Sequence, residues 1–324
     1  MRRRLRHLLI PLLCMLAAAC GTDSGSGGEA STPGDTSAPQ TPVVITQSSN
    51  AGSSSSVSLH LTDAPIDSLV RAVVRFTAVE FKAQSGGWAK FTLSTPQSID
   101  LLGLQGGKTA DLLVNVPLAA GNYEEIRLFT SSDPADNFVE ENDGGIAPLL
   151  ISGGSGSGIA LQQDFVIPAA QASSFIIDID LRQSVRSPSN APIYRLNPVM
   201  RLAMSGMTGG IRGEVDSSKL TATPPACSDT QVGTYNAVYV FEGHDVKPDD
   251  INQLGNNTEP FATTAITYDG ASGKYLYEAA FLPAGNYTVA VTCNANLDDL
   301  EADDNLQFFD IRNVTVVKNN IIFL

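Results

Sequence analysis

The sequence predicts an all-β protein built from two Greek-key β-sandwiches. Three observations carry this. Apolar residues recur at period two, as in Val57, Leu59 and Leu61 between Ser58, His60 and Thr62. The same period runs through Ile159, Leu161, Gln163, Phe165 and Ile167, and through Phe175, Ile177, Ile179 and Leu181. Such alternation marks strands with one buried face. Pro65, Gly86-Gly87, Pro117, Gly121, Gly144-Gly145, Pro168 and Pro188 interrupt the runs at the short intervals of a sandwich. Finally, one hexapeptide occurs twice, as Leu118-Ala119-Ala120-Gly121-Asn122-Tyr123 and as Leu282-Pro283-Ala284-Gly285-Asn286-Tyr287. Each copy ends one strand run, turns on Gly and enters the next through Tyr. That is the pattern of a tyrosine corner, so Tyr123 and Tyr287 read as structural pins.

Arg2, Arg3, Arg4 and Arg6 open the chain and precede a short apolar stretch over residues 8–16. It is too short to span a bilayer as a mature helix. Leu16-Ala17-Ala18-Ala19-Cys20 follows and resembles a bacterial lipobox, with Leu four residues before the Cys where three is usual. The resemblance implies that residues 1–19 are a lipoprotein signal peptide and that Cys20 is acylated, which anchors the protein to a lipid bilayer. Gly21 stands where Asp would favour the inner membrane, so the expected site is the outer membrane of a Gram-negative cell envelope.

Losing four arginines and no acid with the signal peptide takes the formal charge from −14 to −18. So acidic a chain argues against nucleic acid and anionic headgroups as partners. Residues 20–56 are rich in Gly, Ser, Thr and Pro and read as a tether with a span of about 30–35 Å. The first sandwich is expected over residues 57–205, with a helical turn or two near 66–70 and a flexible loop at 153–158. The second is expected over 208–324, after a Gly209-Gly210 hinge.

Cys227 and Cys293 remain once Cys14 is cleaved and Cys20 acylated. An even pair in an exported chain reads as one disulfide, with two separate buried thiols as the alternative.

The first domain resembles the family called domain of unknown function 4382. The resemblance rests on Leu61-Thr62-Asp63-Ala64-Pro65, Val79-Glu80-Phe81, Trp88, Ile99-Asp100-Leu101-Leu102 and the first corner. It continues through Ile179-Asp180-Leu181, Ser184-Val185 and Leu196-Asn197-Pro198-Val199. It implies an Ig-like or transthyretin-like sandwich and no established activity. The second domain is similar to prealbumin-like, carboxypeptidase-regulatory-like repeats through Gly213, the second corner and the closing strand.

The candidate cation site is the acidic loop after Cys293. Asn294, Asn296, Asp298, Asp299, Glu301, Asp303 and Asp304 offer the oxygen ligands a hard ion such as Ca²⁺ takes. Asp299 at position six and Asn305 at position twelve exclude an EF-hand, and the competing reading is a hydrated acidic loop. Asp178 and Asp180 share one strand face and read as solvated. Trp88 reads as a core or edge plug. His60 lies near Asp63 and several Ser residues, but no G-x-S-x-G elbow supports a triad. These features together favour a non-catalytic, surface-anchored module binding an unknown protein or glycan. The alternatives are a carbohydrate hydrolase using a surface carboxylate pair and a purely structural envelope component.

Overall fold

The alternating runs form strands in a computed structural model that describes residues 54–324, apart from 188–192, 221–234, 253 and 256–257. Cys20, Cys227 and the tether up to residue 53 lie outside the described residues. In chain order the first sandwich comprises β1 (Ser54–Ala64), β2 (Leu69–Ala83), β3 (Trp88–Asp100), β4 (Ala110–Ala119), β5 (Gly121–Thr130) and β6 (Phe138–Glu141). It continues with β7 (Ile146–Ile151), β8 (Ile159–Ile167), β9 (Ala172–Asp180), the helical turn α1 (Leu181–Ser184), β10 (Val185–Arg186), β11 (Tyr194–Leu196) and β12 (Val199–Met204). Helical structure in this sandwich thus falls at Leu181–Ser184 and, as a 3-10 turn, at Leu101–Leu104, and not near residues 66–70, which lead instead into the long strand β2. Asp180 explains the placement, because its carboxylate caps Gln183 N–H at 3.0 Å and so starts a turn where the strand ends.

One sheet runs β12-β9-β1-β4, and the facing sheet runs β10-β11-β7-β6-β2-β5-β8 with β3 beside β2. Leu59, Leu61, Phe175 and Ile177 from the first meet Phe76, Phe81, Ile126 and Leu128 from the second in one core.

The second sandwich comprises β13 (Thr208–Val215), the turn α2 (Ser217–Leu220), β14 (Ala237–Glu242), β15 (Ala262–Ala265), β16 (Thr267–Asp269), β17 (Lys274–Pro283), β18 (Gly285–Thr292), β19 (Phe308–Val316) and β20 (Ile321–Phe323). Its sheets run β16-β17-β13-β20 and β15-β14-β18-β19. The expected Gly209-Gly210 hinge is part of β13 itself. A Cβ on Gly209 would meet the Val317 carbonyl oxygen at 2.3 Å, so Gly serves close approach there and not flexibility. Gly213 has the same role beneath the Tyr277 ring, 2.2 Å from a Cβ at that position.

Both repeated corners close in the same way. Tyr123 Oη donates to Ala119 O at 2.8 Å, and Tyr287 Oη donates to Pro283 O at 2.9 Å. Each bond reaches back across the turn where the chain passes from one sheet to the other, β4 to β5 and β17 to β18. Tyr123 also stacks on Phe165, with ring centroids 5.4 Å apart.

β14 is apolar without alternation because both its faces are covered. Val238 and Val240 enter the main core. Tyr239 and Phe241 face outward and are buried beneath Ile251, Ala295, Leu300 and Leu306. The segments 243–261 and 293–307 therefore fold down as a third layer on this sheet. The two sandwiches lie within one compact unit. Among the described residues no helix is long and apolar enough to cross a membrane.

Candidate functional site

The third layer concentrates carboxylates. Apolar anchors hold its two segments against β14, and the acidic residues between those anchors are pressed together. Oxygens of Asp250, Asp298 and Asp304 lie within 4.8 Å of one another, and so do oxygens of Asp249, Asp250 and Asp303. Backbone N–H groups fix the set. Asp298 accepts from Ile251 at 3.0 Å and from the Tyr239 hydroxyl. Asp250 accepts from Asp304 N–H at 2.7 Å, and Asp304 accepts from Asp299 N–H at 2.6 Å. Glu259 adds to the negative field, with both carboxylate oxygens shielded from water.

Electrostatics register the crowding. Burial pushes Asp298 up to about 6, against the lowering effect of Tyr239, Ile251 N–H and Arg182, and Asp250 raises it further. Burial likewise lifts Glu259 to about 7; the Asn252 N–H opposes this, while Asp250, Asp298 and Asp249 reinforce it. Hard oxygen ligands at mutual contact are what Ca²⁺ coordination uses.

The predicted ligand set is thereby redrawn. Among the predicted acidic ligands, Asp298, Asp303 and Asp304 fall in these clusters, whereas Asp299 and Glu301 do not. Asn294 Oδ1 accepts from Thr292 Oγ1 at 2.7 Å. Asp299 Oδ1 caps Glu301 N–H at 3.0 Å, Glu301 reaches out to Arg186 at 2.6 Å, and Asn296 is exposed. Asp249, Asp250 and Glu259 are the additions. Asp249-Asp250 is visible in the sequence as a pair, but no local spacing links it to a loop some fifty residues on. Cys293 is buried at the end of β18.

A second polar cluster sits at the junction of the sandwiches. Asp178 and Asp180, expected to be solvated, are buried, because the second sandwich covers that end of the β12-β9-β1-β4 sheet. Arg201 donates to Asp178 through Nε at 2.8 Å and places its guanidinium 4.7 Å from the Phe261 ring centroid. Arg182, 6% exposed, donates to Asp67 at 2.7 Å and to Ala295 O at 3.2 Å. Gln183 donates to Pro260 O at 3.2 Å. Burial first, and then Asp178, raise both Asp63 and Asp180, the latter to about 6. A cavity of about 20 Å³ beside Asp63, Asp178, Arg201 and Thr263 is far too small for a sugar ring. Asp178 and Asp180 are therefore not a surface carboxylate pair.

Trp88 is also not the plug expected. It is 42% exposed, and Arg127 lies 4.3 Å from its ring centroid.

On the same sheet, His60 on β1 bridges two side chains, one of them Ser174, four residues along β9 from Asp178. Its Nδ1 is 2.7 Å from Asp111 Oδ1, and its Nε2 is 3.1 Å from Ser174 Oγ. Sequence proximity had suggested Asp63 as a partner. The strand order β9-β1-β4 supplies Ser174 and Asp111 instead, which only the sheet pairing can reveal.

Comparison with known proteins adds a resemblance for the first sandwich and little more. No curated protein sequence matches the chain. Among solved structures, the Bacillus anthracis TIE protein is 12% identical with a TM-score of 0.18, over 83% of this chain and 33% of its own, so the chain spans about a third of that protein's length. The minor pilin of Streptococcus agalactiae is 10% identical, TM-score 0.17, over 82% of this chain and 93% of its own. The major pilin of Streptococcus pyogenes is 10% identical, TM-score 0.15, over 84% and 98%. Such scores carry no argument about function. A family model, described as domain of unknown function DUF4382, matches residues 54–198, the span of β1 to the start of β12. The first sandwich is thus similar to the DUF4382 family over residues 54–198, under half of the chain.

Proposed function

We propose that the protein is a lipid-anchored envelope module that binds a protein or glycan and uses Ca²⁺ to order its second sandwich. The observation that carries this reading is the third layer, where two trios of aspartates that share Asp250, drawn from two distant segments, each bring their oxygens within 4.8 Å of one another over one sheet face. A bound divalent cation offsets that repulsion and fixes two loops of the second sandwich, and loops on a rigid scaffold are where recognition is usually placed. A cleft of about 790 Å³ between the sandwiches, lined by Leu102, Lys108, Arg212, Leu276, Glu278 and Phe323, has the size and mixed polarity of a ligand site. Acylated Cys20 and the tether hold this unit at the outer membrane, and a Cys227–Cys293 disulfide staples the start of the third layer.

Binding of the full chain to a glycan and cell-surface panel, with and without Ca²⁺, tests the reading. Calcium-dependent binding lost on Asp250→Asn supports it, and turnover of an offered polysaccharide overturns it. Cys20→Ala moves the protein from the membrane to the soluble fraction if the anchor is correctly placed. Non-reducing peptide mapping reads the disulfide directly, and two alkylatable thiols in the native protein contradict it.

A further inference from the structure

We propose that Ser174, His60 and Asp111 form an acyl-transfer site on the open face of the β12-β9-β1-β4 sheet, able to hydrolyse small activated esters. This goes beyond the binding reading and does not depend on it.

The atoms connect in the order a serine nucleophile needs. Asp111 Oδ1 sits 2.7 Å from Nδ1 of His60, which fixes the proton on Nδ1 and leaves the Nε2 lone pair facing Ser174 Oγ at 3.1 Å. Three adjacent strands, each hydrogen-bonded to the next, hold the three side chains, so the geometry is rigid. The set is reachable from solvent, with the His60 and Asp111 side chains 22% and 39% exposed. Asp178, the nearest junction carboxylate on β9, lies about 13 Å along that strand and is committed to Arg201.

A donor for the developing oxyanion is also in place. Ser58 pairs with Ser174 in the β1–β9 register, so both side chains leave the same face side by side. The Ser58 oxygen accepts Asn115 N–H at 3.1 Å, which leaves its own hydroxyl proton to donate.

The chemistry balances without a cofactor. Ser174 Oγ bonds to the ester carbonyl carbon as its proton passes to His60 Nε2. The carbonyl electron pair moves to oxygen beside Ser58. Collapse breaks the ester C–O bond, and His60 returns the proton to the leaving alcohol. Water, deprotonated by His60, then releases the carboxylic acid and restores Ser174. A shallow sheet face selects little beyond the acyl group, so the substrate class is small esters.

The test is a fluorophosphonate probe, in which Ser174 Oγ displaces fluoride to leave a stable adduct, read by peptide mass spectrometry on the full chain. The expected result is one adduct at Ser174, absent in Ser174→Ala and slowed by about 100-fold or more in His60→Gln. Asp111→Asn tests positioning: its labelling rate falls and its pH profile changes shape, which a packing role would not cause. Thermal midpoints establish that each variant is folded, and p-nitrophenyl acetate turnover gives a second readout. A folded wild type that takes no adduct at Ser174 overturns the proposal, as does labelling at the same rate in folded His60→Gln.

Discussion

Two acidic clusters, one buried at the junction and one half-buried in the third layer, lie within the same molecule and are balanced differently. At the junction, Asp67, Asp178 and Asp180 face Arg182 and Arg201, and Asp180 and Asp63 also accept backbone N–H groups of α1. In the third layer, Asp250, Asp298, Asp304 and Glu259 meet backbone N–H groups and a tyrosine hydroxyl, with Arg182 as the cation that bears on Asp298. The difference teaches where charge must come from. The junction carries its counter-charge within the fold, whereas in the reading proposed above the third layer draws it from solution as protons or a cation.

The largest effect separating the two is expected from Arg182→Met. Removing the guanidinium leaves Asp67 buried and unpaired and should cost about 3–5 kcal/mol in chemical denaturation. An unchanged unfolding midpoint would mean that the pair is not the junction's clamp.

The next effect is in pH. Asp298 and Asp180 at about 6 and Glu259 at about 7 bind protons more tightly folded than unfolded. The folded state therefore holds excess protons between about pH 4 and 7, and stability in chelator falls as pH rises through that window. Saturating Ca²⁺ should flatten the part due to Asp298 and Glu259 and leave the part due to Asp180. Thermal melts at pH 5 and pH 7, with and without Ca²⁺, give the comparison, and identical slopes in the two conditions would count against a cation in the third layer.

The smallest effect concerns what the two sandwiches share. Tyr123→Phe and Tyr287→Phe each remove one hydroxyl-to-carbonyl bond and should cost about 1 kcal/mol apiece, additively because the corners are in separate cores. A cost confined to one corner would show that the repeated hexapeptide does not do the same work twice.

These contrasts also mark what sequence could reveal. Period two placed β1, β8 and β9 because each has one covered face. The corners were legible because one local hexapeptide makes the whole interaction. Asp178 and Asp180 were misjudged because alternation shows which residues share a face, not whether another sandwich covers it. The acidic loop was visible as a ligand-rich stretch, but half of its contacts come from Asp249 and Asp250, brought in by a segment folding over β14. The uniform apolar run Ala237-Val238-Tyr239-Val240-Phe241 was the available sign of that third layer, since both faces of β14 need cover. The Ser174–His60–Asp111 set depends on strand order alone, which no local spacing encodes.

The most direct test of the difference between the clusters is calorimetric titration of Ca²⁺ into metal-free protein at neutral pH. The account predicts saturable binding that disappears in Asp250→Asn/Asp304→Asn and persists in Asp63→Asn. Saturable heat unaffected by the double substitution, or no saturable heat in the folded wild type, would contradict it.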